Sequence, residues 1–222
     1  MKCVEINTDF SMGYYRIVNK IKINLGTIMS DLKQKDNELK YYNLAIEKDG
    51  NFYHAFISRG LYYMDEQRID KALRDFNQAI QINPKYFLSF YNRGQLYDDI
   101  GEKEKALNDY NRAIQLDPNN ALAYTNRANL YCNFGEKFKA LNDFNQAIRL
   151  SLKFINAYNR KGVTLQNLKQ YEQAIISYNK AILINPNYVY AYYNKGFMLN
   201  INQQFHYFFR IFSQNSKTKP NL

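Results

Sequence analysis

The stretch ALNDYNRAIQLDPN, residues 106–119, decides the fold because the chain repeats it with small changes. ALRDFNQAIQINP begins at 72, ALNDFNQAIRLS at 140 and AIISYNKAILINP at 174. Ala45, Ala79, Ala113, Ala147 and Ala181 stand 34 residues apart, each preceded by three positions by an aromatic residue: Tyr42, Phe76, Tyr110, Phe144 and Tyr178. Ala72, Ala106, Ala140 and Ala174 keep the same step, as do Gly60, Gly94, Ala128, Gly162 and Gly196. A period of this length denotes an array of small units that bury their apolar faces on one another, rather than one compact core.

Within the unit Phe87 to Asn120, the residues Phe90, Leu96 and Tyr97, then Ala106, Tyr110, Ala113 and Ile114, recur at steps of three and four, which predicts two helices. Gly101 suits the turn between them. Pro118 ends the second helix because it has no N–H to continue the ladder and restricts the residue before it. Gly94, Ala106 and Ala113 have almost no side chain and let the two axes approach, while the aromatic residues fill the space beside them. Neither helix hides its apolar face alone, so about three units are needed for a stable array.

The totals agree with a folded chain. Its 222 residues are 46% hydrophobic and 16% aromatic, ample material for a core and unlike a disordered composition. No run of 18 apolar residues occurs, and the opening MKCVEINTDF lacks the basic end and apolar run of a signal peptide, so a cytoplasmic protein with no membrane contact is the expectation. Cys3 and Cys132 form no metal spacing with each other or with His54 and His206, and no cofactor or metal is expected. The formal charge of +10 is unevenly placed: residues 1–118 hold 17 Lys+Arg against 17 Asp+Glu, and residues 119–222 hold 13 against 3. The second half therefore carries a positive field.

In residue type and spacing, Phe90, Gly94, Tyr97, Ala106, Tyr110, Ala113 and Pro118 resemble the tetratricopeptide repeat. The family's tryptophan place holds Phe56, Phe90, Tyr124, Tyr158 and Tyr192, and Leu152 stands where a proline is expected. The units 53–86, 87–120, 121–154 and 155–188 carry the match. The resemblance implies an all-α, right-handed superhelical solenoid of antiparallel helix pairs. Around it we expect an arm at 1–10 and an atypical first repeat over 11–52. That repeat would combine a long helix at about 11–33, or a shorter in-register one around Gly26 and Met29, with a second helix carrying Tyr42 and Ala45. A partial sixth repeat is expected at 189–212 and a disordered tail at 213–222. Phe205, Phe208, Phe209 and Phe212 share one helical face, read as a closing helix or as an exposed partner surface.

No catalytic constellation is visible, so an enzyme is not expected. The chain has no glycine-rich phosphate loop and no Cys–His pair, and Asp98 and Asp99, adjacent on a helix, point apart into solvent. What the resemblance implies instead is a concave groove lined by the first helix of each unit. Ser58, Asn92, Asn126, Arg160 and Asn194 stand two residues before the small positions, and an amide there both donates to and accepts from a peptide backbone. Tyr91, Gln95, Asn129, Asn156, Asn159 and Tyr193 are expected to share that wall.

Family members that clamp acidic chaperone tails use a lysine and asparagine, then an asparagine, then a lysine and arginine in three successive units. Asn126 and Arg160 match the last two units, but Asn156, Tyr91 and Gln95 depart from the pattern. A further ladder, Arg59, Arg93, Arg127, Lys161 and Lys195, would suit phosphates, yet Asp75, Asp109 and Asp143 accompany the arginines and Ser177 accompanies Lys161. That covariation predicts interhelical ion pairs, contributing about 0 to 1 kcal/mol each if exposed. The expected function is a non-catalytic protein-interaction scaffold or adaptor binding an extended peptide or a partner helix. The alternative is a nucleic-acid or acidic-surface binder acting through the basic second half.

Overall fold

The computed structural model describes residues 32–198, among which no strand occurs. The expected arm, nearly all of the expected long helix and the segment from 199 onward, with its four phenylalanines and tail, lie outside the described residues. The chain divides into two compact units, residues 1–118 and 119–222, with the border at the end of the 87–120 repeat.

The first unit contains α1 (Leu32–Lys48), α2 (Tyr53–Asp65), α3 (Ile69–Ile82), α4 (Phe87–Asp99) and α5 (Lys103–Leu116). Helix α2 packs on α3 and α4 on α5, while α1 meets α2 and α3 meets α4. The second unit contains α6 (Ala121–Asn133), α7 (Lys137–Leu150), α8 (Ile155–Asn167) and α9 (Tyr171–Ile184). A further helical stretch runs from 189 to 198. Here α6 pairs with α7, α8 with α9, and α7 with α8. The fold class is the expected one: all-α, built of helix pairs in tandem.

The second helix of each pair buries one stripe at helical spacing. In α3 it is Ala72, Asp75, Phe76 and Ala79; in α5, Ala106, Asp109, Tyr110 and Ala113; in α7, Ala140, Asp143, Phe144 and Ala147. In α9 serine replaces the acid: Ala174, Ser177, Tyr178 and Ala181. Small residues at both ends of the stripe let the partner helix close over the central ring. A methyl group placed on Gly60 would lie 2.7 Å from Phe76, and one on Gly94 would lie 3.0 Å from Tyr110. One on Gly162 would overlap the Tyr178 ring. Burial pushes the Tyr178 phenol up to about 12, and its hydroxyl donates to Gln166 Oε1 at 2.9 Å.

Successive pairs nest as the period requires. Leu96 of one repeat joins Phe56, Ile57 and Phe76 of the repeat before it, and Ala157 joins Ala128, Ala140 and Phe144. Met198 closes on Leu165 and Tyr178. Within each pair the turn is closed in one way, seen at Gly101 (φ 82°): its N–H donates to Asp98 O at 3.0 Å, and that of Glu102 donates to Tyr97 O at 2.8 Å. Gly135 fills the same place at φ 78°, whereas Gln67 and Lys169 hold it at φ 57° and 61°, a region that favours glycine.

Ser89 in α4 is the irregular member of the core. It is fully buried and its hydroxyl has no hydrogen-bond partner among the described residues, while Ala55, Ala123, Ala157 and Ala191 occupy the corresponding places at 0–1% exposure.

Two stability predictions follow from this packing. Gly162→Ala gains about 1 kcal/mol of helix propensity but forces a methyl into the Tyr178 ring, an overpacking that costs about 1–3 kcal/mol, so thermal unfolding should show net loss. Gly94→Ala, with its looser contact, should be close to neutral, and equal effects at the two sites would contradict the packing described. Ser89→Ala removes an unpaired buried hydroxyl and should stabilise by about 1 kcal/mol, read as a rise in Tm of roughly 2–4 °C.

Candidate functional site

Two polar faces of the first helices were singled out by their spacing, and the structure gives them different roles. The three arginines of the basic ladder turn inward toward the paired helix. Arg59 donates to Asp75 through Nε and Nη2 at 2.7 and 2.8 Å, Arg93 to Asp109 at 2.7 and 2.7 Å, and Arg127 to Asp143 at 2.7 and 2.8 Å. Aromatic residues one turn to either side flank each guanidinium, Phe56 and Tyr63 for Arg59, Phe90 and Tyr97 for Arg93, Tyr124 and Tyr131 for Arg127. In the first unit Nη1 also reaches back to the preceding repeat, from Arg59 to Asn43 and from Arg93 to Asn77.

These pairs differ from the exposed ones expected, because the acid lies in the buried stripe. Asp75, Asp109 and Asp143 are 5–6% exposed, and the arginine side chains 18–20%. Removing one partner leaves the other with its charge uncompensated, which costs about 3–5 kcal/mol for a fully buried pair and less here, given the part-exposed guanidinium. The hydrogen bond and charge of Asp75 hold the Arg59 guanidinium above its ordinary value against its own desolvation. For Arg93 and Arg127 burial is the largest influence and acts downward, yet the hydrogen bond and charge of Asp109 and Asp143 together outweigh it.

In the 155–188 repeat the set changes together: lysine stands for arginine at 161, Ser177 for the acid and Leu165 for the flanking tyrosine. Ser177 turns its hydroxyl onto Gln173 O at 2.9 Å, and burial lowers the Lys161 ammonium. Asp98, expected in solvent, is half-buried, and burial followed by the charge of Asp99 raises its carboxyl.

The other face opens outward in the second unit. Helices α6, α8 and 189–198 wall a cavity of about 550 Å³. Helix α6 contributes Asn126 and Asn129, and α8 contributes Asn156, Asn159 and Arg160, with Asn194 from the third helix. Six of the expected wall residues are thus brought together. Tyr193 is 72% exposed and does not line the cavity. In the first unit Asn92 and Tyr91 are 6% and 8% exposed, the latter with its ring against Tyr110, and Gln95 is half-buried.

The amides partly engage one another. Asn194 Nδ2 donates to Asn159 Oδ1 at 3.0 Å, and Tyr188 Oη donates to Asn156 Oδ1 at 3.0 Å. Burial raises the Tyr188 phenol, with the Arg160 charge acting downward. Tyr188 and Phe154, which precede their helices, and Leu122 and Tyr190, four residues before Asn126 and Asn194, also line the cavity, at places outside the spacing of the expected wall. The helical step of four was the signal that would have found the last two. Among the described residues no group of three His, Cys, Asp or Glu is placed to hold a metal, and no helix is long and apolar enough to cross a membrane.

Comparison with known proteins gives this architecture its family. The chain matches the tetratricopeptide repeat at residues 87–120 and 155–188, and related models of the same repeat at 60–101 and 109–142. These matches cover more than half of the chain, which belongs to the tetratricopeptide repeat family. Among solved structures it is similar to YrrB, described as a TPR protein with an unusual peptide-binding site (22% identity, 88% of this chain and 96% of that one, TM-score 0.64). It is also similar to MamA (23% identity, 72% and 97%, TM-score 0.62). The first TPR of Spaghetti (RPAP3), solved with the HSP90 peptide SRMEEVD, matches at 26% identity over 53% of this chain and 93% of that one, TM-score 0.51. No curated protein matches the chain.

The incomplete pair at Lys161 and Ser177 generates a prediction. A lysine whose folded pKa lies below its ordinary 10.5 binds its proton less tightly folded than unfolded, so stability rises as pH climbs through that interval and the full penalty applies below it, neutral pH included. Ser177→Asp should relieve that penalty and raise Tm at neutral pH. Combining it with Lys161→Arg should exceed the sum of the single changes, since only the pair restores the two-bond geometry. Additive effects in thermal unfolding would argue against the pairing.

Proposed function

We propose that this chain is a non-catalytic protein-interaction module whose α6–α8 cavity receives an extended segment of a partner protein. The observation that carries the reading is the open, amide-lined cavity built from the first helices, at the places the 34-residue period assigns to the groove. Membership of the tetratricopeptide repeat family supports it, as do the peptide-binding site ascribed to YrrB and the peptide bound to the Spaghetti repeat. Asparagine side chains suit such an occupant because each one offers both a donor and an acceptor to backbone groups, whatever side chains the partner carries. The inward arginines are committed to Asp75, Asp109 and Asp143, which takes three of the five ladder positions away from a phosphate backbone.

The test is recovery of bound proteins by the immobilised chain, identified by mass spectrometry and compared with the Asn126→Ala/Asn194→Ala variant. Loss of two hydrogen bonds of about 1 kcal/mol each should lower recovery of a groove ligand about tenfold or more, with helicity unchanged by circular dichroism. Undiminished recovery would place the partner elsewhere. Retention of RNA that weakens steeply with salt would instead favour the nucleic-acid reading.

A further inference from the structure

We infer that the cavity selects a proline-rich segment in the polyproline II conformation, laid across α6 and α8. The inference rests on the groove reading above and adds the chemistry of the occupant.

The hydrogen-bonding capacity left open on the wall is unbalanced. Asn156 Oδ1 already accepts from Tyr188 Oη, and Asn159 Oδ1 accepts from Asn194 Nδ2. The amide N–H groups of Asn156 and Asn159 and the side chain of Arg160 make no hydrogen bond among the described residues, and none of the lining residues is an acid. Two carbonyl oxygens are thus engaged within the wall while the N–H groups beside them stay open, and a guanidinium adds donors with no acceptor.

An occupant that suits such a wall brings acceptors and few donors. An ordinary extended segment carries one N–H for each C=O, and an N–H pressed against other donors gives up water without gaining a partner. Proline lacks that N–H and keeps its C=O. In polyproline II the backbone makes no internal hydrogen bonds, so its carbonyls are available to Asn156, Asn159 and Arg160.

The apolar part of the cavity fits the same occupant. The rings of Tyr188 and Tyr190 lie 5.7 Å apart with their planes inclined at 56°, and Phe154 and Leu122 line the same space. Tyr190 and Leu122 are 69% and 52% exposed, so covering them with pyrrolidine rings is favourable. Aromatic rings beside hydrogen-bond donors are the combination by which grooves hold polyproline II segments. Spacing agrees as well. Helices α6 and α8 are in contact, and packed helix axes lie about 8–10 Å apart. Polyproline II has three residues per turn and rises about 3.1 Å per residue, so it presents the same face about every 9 Å. A segment crossing the two helices therefore sets prolines three residues apart over successive helices.

The test uses fluorescein-labelled decaproline and a positional-scanning peptide library, both blocked at the C-terminus, with binding to the full chain followed by fluorescence anisotropy. Asn156 and Tyr190 are exposed, and circular dichroism checks that the variants Asn156→Asp and Tyr190→Ala keep the fold. Wild type should choose proline at two library positions three apart, and should bind decaproline about tenfold or more tighter than a proline-free peptide of uncharged residues. Asn156→Asp keeps the acceptor for Tyr188 but replaces the open N–H by oxygen, and should weaken decaproline about tenfold or more. Tyr190→Ala should weaken it about fivefold or more. Peptide binding without a choice of proline, a choice of charged residues in its place, or decaproline binding that neither variant weakens overturns the inference and leaves the groove reading intact. No binding of decaproline or of any library peptide overturns both.

Discussion

The structure depends on how closely the two helices of each repeat approach. Gly60, Gly94 and Gly162 face the rings of Phe76, Tyr110 and Tyr178 with no room for a further carbon without adjustment, and Ala128, at the corresponding place, shares a buried cluster with Phe144. A side chain longer than alanine at these places would part the helices. The buried stripes of α3, α5, α7 and α9 would then face solvent, and an aspartate carried on such a stripe would lie beyond reach of its arginine. Dispersion and apolar burial thus set the spacing, and the polar interactions use the distance so defined.

At that distance an aspartate in the buried stripe is held by both nitrogens of an arginine that is itself flanked by aromatic rings. Each component needs the others: the acid tolerates burial because its charge is compensated, and the guanidinium gives up solvent because the rings and the carboxylate replace it. The 155–188 repeat shows the interdependence, since Arg, Asp and Tyr are replaced there as a set by Lys161, Ser177 and Leu165. Serine satisfies itself on its own helix, a route open to a hydroxyl and closed to a carboxylate.

The division of labour on the first helices follows from adjacent positions. Asn126 and Arg127, or Arg160 and Lys161, are neighbours in sequence and about 100° apart around a helix with 3.6 residues per turn. One of each pair turns to the hairpin partner and the other to the outer wall. A scaffold kept uniform by packing can therefore vary its outer wall freely, and the presence of Arg160 among asparagines is a change of that kind.

The helices, their pairing and the nesting of repeats were legible in the sequence, because a 34-residue recurrence of Ala, Gly and aromatic residues admits few other arrangements. The ion pairs were legible as covariation, and the cavity wall as the amides at period positions. Tertiary structure alone decided that the acids are buried, that Asn43 and Asn77 bind arginines of the next repeat, and that Asn92 and Tyr91 are closed to solvent while Asn126 and Asn194 line an open space. The reason is physical. Periodicity reports which residues share a face, and that follows from backbone geometry within one helix. Solvent access and hydrogen-bond partners depend on what other helices bring to that face, and identical positions in successive repeats meet different neighbours.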